Sequence, residues 1–290
     1  MIEIDWAGEA GRLRASAEGE GGWNAAVART LVRDTDQVVA DVGCGGGGMA
    51  KALAEALPGA TVVAIDADPD VLEQAREHTG GLVRCALASM DDGAEPLRRA
   101  IDAPADLIWA SASVHHAADQ QAAVAALASL LAPGGRLALA EGGLPARNLP
   151  WDLGIGEPGL ELRLDLAQDR WFKVMRESLP GSVPMPYGWT DALTRAGLVD
   201  VTTRSVLSET PAPLSSSQLE RVVAGFRSRI ERLTGGGGHG HVVVDEDWLE
   251  PEDLETWEQL LDPEGPYFLG RRTDLAVLAV RSVHLGHAPR

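Results

Sequence analysis

Lysine is almost missing from this chain: Lys51 and Lys173 are the only two among 290 residues. Acidic residues number 43 against 25 Lys plus Arg, and the formal net charge is −18. A surface of that sign repels phosphate backbones, because nucleic-acid binders gain affinity by neutralising phosphates with Lys and Arg. No nucleic-acid partner is therefore expected. Cysteine is equally scarce. Cys44 and Cys85 cannot build a disulfide framework, so a reduced, cytoplasmic protein is expected. No run of about 18 apolar residues occurs, which argues against a membrane span. The opening MIEIDWAGEAGRLR lacks an apolar h-region and does not read as a signal peptide. What remains is ordinary: 45% apolar and 23% charged residues, enough for one large globular domain or a domain with a cap.

The chain is organised as a rhythm of strands and helices. Residues 1–36 read as a helical lead-in, with apolar residues at helical spacing from Trp23 to Val32. Gln37 to Val42 is a short apolar run stopped by glycines, the pattern of a buried strand. Residues 47–57 read as a helix ended by Pro58-Gly59, Thr61 to Ile65 as a second strand, and Pro69 to His78 as a second helix. Leu82 to Leu87, Ala105 to Ala110 and Arg136 to Glu141 continue the strands, with an alanine-rich helix from Asp119 to Leu131. Strands alternating with helices about every 20 to 25 residues predict parallel βαβ units in a doubly wound sheet. These units make residues 37–141 a core domain.

The rhythm breaks after Glu141. Residues 142–188 are rich in Gly, Pro and Trp around one amphipathic stretch, and read as an inserted cap. Residues 189–290 return to the sheet: a helix over 190–196, a strand near 199–207 and a last strand over 274–283. Between them lies a helical insertion over about 211–270, with helices at 215–233 and 251–261.

The densest signal is Asp41-Val42-Gly43-Cys44-Gly45-Gly46-Gly47-Gly48. Glycines after a first strand let the backbone approach a ligand, and the next helix offers free N–H groups and the positive end of its dipole. The turn fits two patterns. Gly43, Gly45 and Gly48 satisfy the dinucleotide pattern G-x-G-x-x-G. Asp41, Gly43, Gly45 and Gly47 satisfy D-x-G-x-G-x-G. The second, with Asp66 ending the second strand, Leu131-Ala132-Pro133-Gly134-Gly135-Arg136-Leu137 before the fifth, and Asp106 to Ser111 followed by Val114-His115-His116, resembles the class I S-adenosylmethionine-dependent methyltransferases.

That resemblance implies a mostly parallel seven-stranded α/β sheet with helices on both faces and an antiparallel last strand, to which the mainly helical cap read from the residues above is added. It implies S-adenosylmethionine as cofactor and S-adenosylhomocysteine as product. Gly43, Gly45 and Gly47 would pass the methionine part, and Asp41 would orient the turn or reach the ammonium through water. Asp66 would hold the ribose diol and Ala67 pack on adenine; Ala110 and Ser111 would line the floor under the sulfonium. The family's adenine-contacting acid follows the third strand; here, in Ser89-Met90-Asp91, Ser89 stands at the position that is often Asp, and Met90 or Asp91 would take over the contact. Acidic, Ala/Gly/Arg-rich composition fits a bacterial source. The rival readings are an NAD(P)-dependent oxidoreductase and a methyltransferase-like protein that binds the nucleoside without transfer.

Methyl transfer is an in-line displacement needing close alignment, exclusion of water and, for an O–H or N–H acceptor, loss of a proton. His115 or His116 is the candidate base, since imidazole titrates near neutrality. Arg163, Arg170, Trp171, Tyr187 and Trp189 are candidates for a small, planar acceptor, because guanidinium groups and aromatic rings suit such a ligand. His239 and His241 do not complete a metal ligand set, so no metal is expected. The lead-in and the cap are candidate surfaces for a homodimer.

Overall fold

The computed structural model describes residues 5–235 and 248–290. It contains helices α1 (Trp6–Gly19), α2 (Gly21–Leu31), α3 (Gly48–Ala56), α4 (Pro69–Thr79), α5 (Ala94–Ile101), α6 (Gln120–Ala128), α7 (Leu160–Ser178), α8 (Trp189–Arg195), α9 (Ser216–Thr234) and α10 (Pro251–Leu261). Its strands are β1 (Val38–Val42), β2 (Thr61–Asp66), β3 (Arg84–Leu87), β4 (Ala105–Ser111), β5 (Leu131–Arg147), β6 (Val199–Thr210) and β7 (Val277–His287). Several helix starts follow local chemistry. Asp68 caps α4 by accepting from the N–H groups of Asp70 and Val71, with Pro69 in the first turn, and Gly80 closes the helix in a left-handed conformation. Ser215 and Gln218 form a reciprocal capping box on α9.

The sheet order is β3-β2-β1-β4-β5-β7-β6. β1 pairs in parallel with β2 and β4, β2 with β3, and β4 with β5. The last strand is antiparallel. Ala288, just past its end, donates to the carbonyl of Gly135 early in β5, whereas His284 within it meets Glu141 further along β5. This is the expected mostly parallel seven-stranded sheet.

Two compact units divide the chain. One comprises residues 5–142, 180–204 and 282–290. Its apolar layers lie on the two faces of the parallel strands: Val42, Ile65, Ile108 and Leu139 with α5, α6 and α8 on one side, Val39, Leu107 and Trp109 with α2 and α3 on the other. The other unit comprises, among described residues, 143–179, 205–235 and 248–281. Leu164, Phe226, Ile230, Trp257 and Leu260 build its core from α7, α9 and α10. The sequence expectation of a separate cap at 142–188 differs from this division. α7 shares a core with α9 and α10, and residues 180–188 lie in the first unit.

A buried ion pair ties the lead-in to the sheet. Arg136 grips Asp36 with both guanidinium nitrogens, at 3.0 and 2.5 Å, and also donates to the Leu31 carbonyl. Both side chains are 3% exposed.

Candidate functional site

Parallel strands send their carboxyl ends to one edge, where the crossover loops collect. Asp41 lies near the end of β1 and Gly43 just beyond it; Asp66 ends β2, Ser111 ends β4, and Glu141 lies on β5, register-adjacent to them. The glycine turn bends back at once. Gly43 and Cys44 donate to the Ile65 carbonyl at 2.8 and 3.0 Å. Gly43, Gly45 and Gly47 all have positive φ, +68°, +51° and +75°, a backbone that side chains rarely adopt. At Gly43 a Cβ would also lie 2.4 Å from the Ser113 Cβ, so this residue is required twice over.

Asp66 reaches under the turn. Its carboxylate accepts from Gly45 N–H at 3.0 Å and Asp68 N–H at 3.2 Å. Burial pushes its carboxyl up from the ordinary range, and N–H groups of Gly45, Asp68 and Ala67 oppose this. Asp41 is 2% exposed. Burial raises it to about 7, against the N–H of Ala50 and with Asp66 adding to the rise. Its Oδ2 is buried without a hydrogen-bond partner, a costly state that a ligand donor or water relieves. Ala67 is exposed beside Asp66, Ala110 is fully buried and Ser111 half-buried. After β3, Ser89 accepts from the Asp91 N–H and Asp91 from the Ala118 N–H, while Met90 packs on the core. All the residues expected to hold the nucleoside therefore belong to one unit and one sheet edge.

The histidines extend this edge. Ala112 takes φ +47°, a rare conformation for alanine, and a short 3-10 turn over Val114–His116 follows. His115 Nδ1 lies 2.7 Å from Glu141 Oε2. The other carboxylate oxygen, Oε1, accepts from Ser113 and Val114 N–H at 2.9 and 2.8 Å. The rings of His115 and His116 lie 4.1 Å apart, and Trp6 of α1 meets His116 edge-on at 5.0 Å. Glu141 is the residue that the sequence expectation missed. Its signal was a lone acid closing an apolar strand at the ligand edge.

The expected acceptor residues are divided between the two units. Arg163 is held by Asp253 and the carbonyls of Pro158 and Glu157, Arg170 donates to the Trp248 carbonyl, and Trp171 lies under Arg232; all belong to the second unit. Tyr187 and Trp189 lie in the first unit. Tyr187 donates to Gln121 and lies beneath the Arg195 guanidinium, 4.1 Å from ring centroid to Cζ; Trp189 packs on the core. His239 and His241 lie outside the described residues. Among described residues no group of three His, Cys, Asp or Glu is placed to hold a metal, and no helix is long and apolar enough to cross a membrane.

The fold separates the two patterns that the glycine turn fits. The dinucleotide alternative shares the glycine turn, but its doubly wound order runs 3-2-1-4-5-6, whereas here an antiparallel strand is inserted between β5 and β6. Residues 40–137 match the family described as a methyltransferase domain. The chain is 41% identical over 102 residues to a ubiquinone biosynthesis O-methyltransferase of Xylella fastidiosa, covering 34% of this chain and 39% of that protein. It is 34% identical over 145 residues to a trans-aconitate 2-methyltransferase of Methylobacterium radiotolerans, covering 45% and 52%. The chain thus spans about half or less of the length of these curated relatives. The YcgJ protein of Bacillus subtilis shares the fold at a TM-score of 0.51 and 15% identity, over 93% of this chain and 99% of that one. Residues 40–137 of this chain therefore carry a methyltransferase domain, in line with the resemblance drawn from the sequence.

Proposed function

We propose that this protein transfers a methyl group from S-adenosylmethionine to a small-molecule acceptor, with His115 as general base. The observation that carries the reading is the convergence on one sheet edge of the left-handed glycine turn, the buried Asp41 with its unpartnered oxygen, Asp66 and the His115–Glu141 pair. These residues fit the nucleoside. Asp66 retains lone pairs for a ribose diol beyond those used by Gly45 and Asp68, and Asp41 offers an oxygen to the ammonium. The two curated relatives are named for small-molecule methylation, which supports an acceptor of that size.

S-adenosylmethionine, when bound, supplies a methyl on a sulfonium whose departure neutralises a charge. The chain's own residues align and deprotonate. Glu141 accepts from Nδ1–H of His115, which fixes the tautomer and leaves Nε2 as the proton-accepting nitrogen. The buried carboxylate then stabilises the imidazolium formed when Nε2 takes the acceptor's proton. Ser113 and Val114 N–H groups keep that carboxylate in place.

Thermal unfolding with S-adenosylhomocysteine or NADH separates the rival ligands. A ligand at 100 times its Kd adds about 2.7 kcal/mol to stability, a rise of roughly 5–10 °C for a chain of this size. S-adenosylhomocysteine is expected to give that rise and NADH none; the reverse defeats the proposal. Transfer of labelled methyl to candidate acceptors then distinguishes an enzyme from a binding protein.

A further inference from the structure

Four neighbouring strands, β4, β5, β7 and β6, each bring one residue into a single line. His115 follows β4, Glu141 lies on β5, His284 on β7 and Thr203 on β6. His284 Nε2 is 3.1 Å from the Glu141 carbonyl oxygen, and its Nδ1 is 2.7 Å from the Thr203 hydroxyl. A carbonyl only accepts, so Nε2 carries the proton and, in the neutral ring, Nδ1 accepts from Thr203.

Glu141 is thereby held from two sides. Its carboxylate is fixed by Ser113, Val114 and His115, and its main chain by His284. The next two residues, Gly142 and Gly143, have φ of +70° and +107°, so the strand enters its most permissive backbone immediately after the partner of the base.

We infer that His284, oriented by Thr203, is a positioning residue that fixes Glu141 and through it the proton-accepting nitrogen of His115. The inference rests on the reading of His115 as the base. Its consequence is geometric: a displacement of about 1 Å in a reacting group costs on the order of 100-fold in rate. No ligand is touched by His284 in this role, so binding of the nucleoside is independent of it.

The test is long-range proton–nitrogen NMR of the full chain labelled at histidine nitrogens, with S-adenosylhomocysteine added. The wild type is expected to show His284 protonated on Nε2 and His115 on Nδ1. His284→Leu should convert His115 to a mixture of tautomers, and Thr203→Val should do the same to His284. His284→Gln, whose amide can donate to the same carbonyl, should restore the His115 signature. Turnover of any acceptor the wild type accepts should fall about tenfold or more in His284→Leu, in kcat rather than KM. A His115 signature unchanged in His284→Leu, or His284 protonated on Nδ1, overturns the inference. Glu141→Leu must also move His115; if it does not, the pair itself is absent and the inference falls with it. Calorimetry with S-adenosylhomocysteine decides the other question separately. Failure of the wild type to bind defeats the methyltransferase reading and leaves the tautomer result standing.

Discussion

Glu141 and His115 meet at 2.7 Å across the ligand edge of the sheet, one almost wholly buried and the other 27% exposed. The carboxylate is an orienting group rather than a surface partner, since its second oxygen is filled by two main-chain N–H groups. His115→Asn is predicted to reduce methyl transfer about 10²- to 10⁴-fold, the usual span for general acid–base catalysis, with S-adenosylhomocysteine affinity within about twofold of wild type. Glu141→Gln should follow it in direction. Steady-state transfer of labelled methyl and calorimetry check the two halves; equal loss of binding would make the pair structural.

Asp41 makes stability depend on pH. Its folded-state pKa, about 7, lies above the ordinary carboxylate value, so the folded protein holds an extra proton between about pH 4 and about pH 7. The stability it contributes is complete below pH 4 and is lost as pH rises through 7, by at most about 4 kcal/mol. Asp41→Asn should therefore stabilise the ligand-free protein more at pH 8 than at pH 5. Melting curves at both values check this; an equal shift at both contradicts it.

The glycine run serves a helix as well as a ligand. A Cβ on Gly46 would lie 2.5 Å from the Leu13 carbonyl of α1, whereas one on Gly59 meets nothing within 4 Å. Gly46→Ala is predicted to destabilise by about 1–3 kcal/mol through that overlap. Gly59→Ala is predicted to change stability little. Urea unfolding of the two variants compares them directly.

The Arg136–Asp36 pair is buried on both sides. Removing one partner strands the other charge, at a cost of about 3–5 kcal/mol. Asp36→Ala should lower the unfolding free energy measured by urea denaturation by that amount, while the double variant Arg136→Met, Asp36→Leu should recover most of it. A double variant no better than the single would show that the pair itself is strongly stabilising.

Much of the core was legible because fully buried parallel strands write continuous apolar runs bounded by glycine: Gln37 to Val42 became β1 and Thr61 to Ile65 became β2, each within a residue. α5 was not legible; its eight residues, Ala94–Ile101, include a proline and stand outside the strand rhythm. β5 begins five residues before and ends six residues after the Arg136 to Glu141 segment read from sequence, taking in the LPAR stretch, because its ends are set by pairing rather than by hydrophobic pattern. The site divided the same way. The glycine turn and Asp66 carry their positions in local motifs, whereas Glu141, His284 and Thr203 are brought together only by strand order. The arginines of α7 looked like ligand groups in sequence, yet Arg163 is satisfied by Asp253, ninety positions away.

Titration of S-adenosylhomocysteine into the wild type and into Asp66→Ala, side by side in a calorimeter, tests the central claim most directly. Hydrogen bonds to a charged partner contribute about 1.5–3 kcal/mol, so the variant should bind roughly 10- to 150-fold more weakly while keeping its fold. Equal affinity in the two proteins, or no binding by the wild type, would contradict the account.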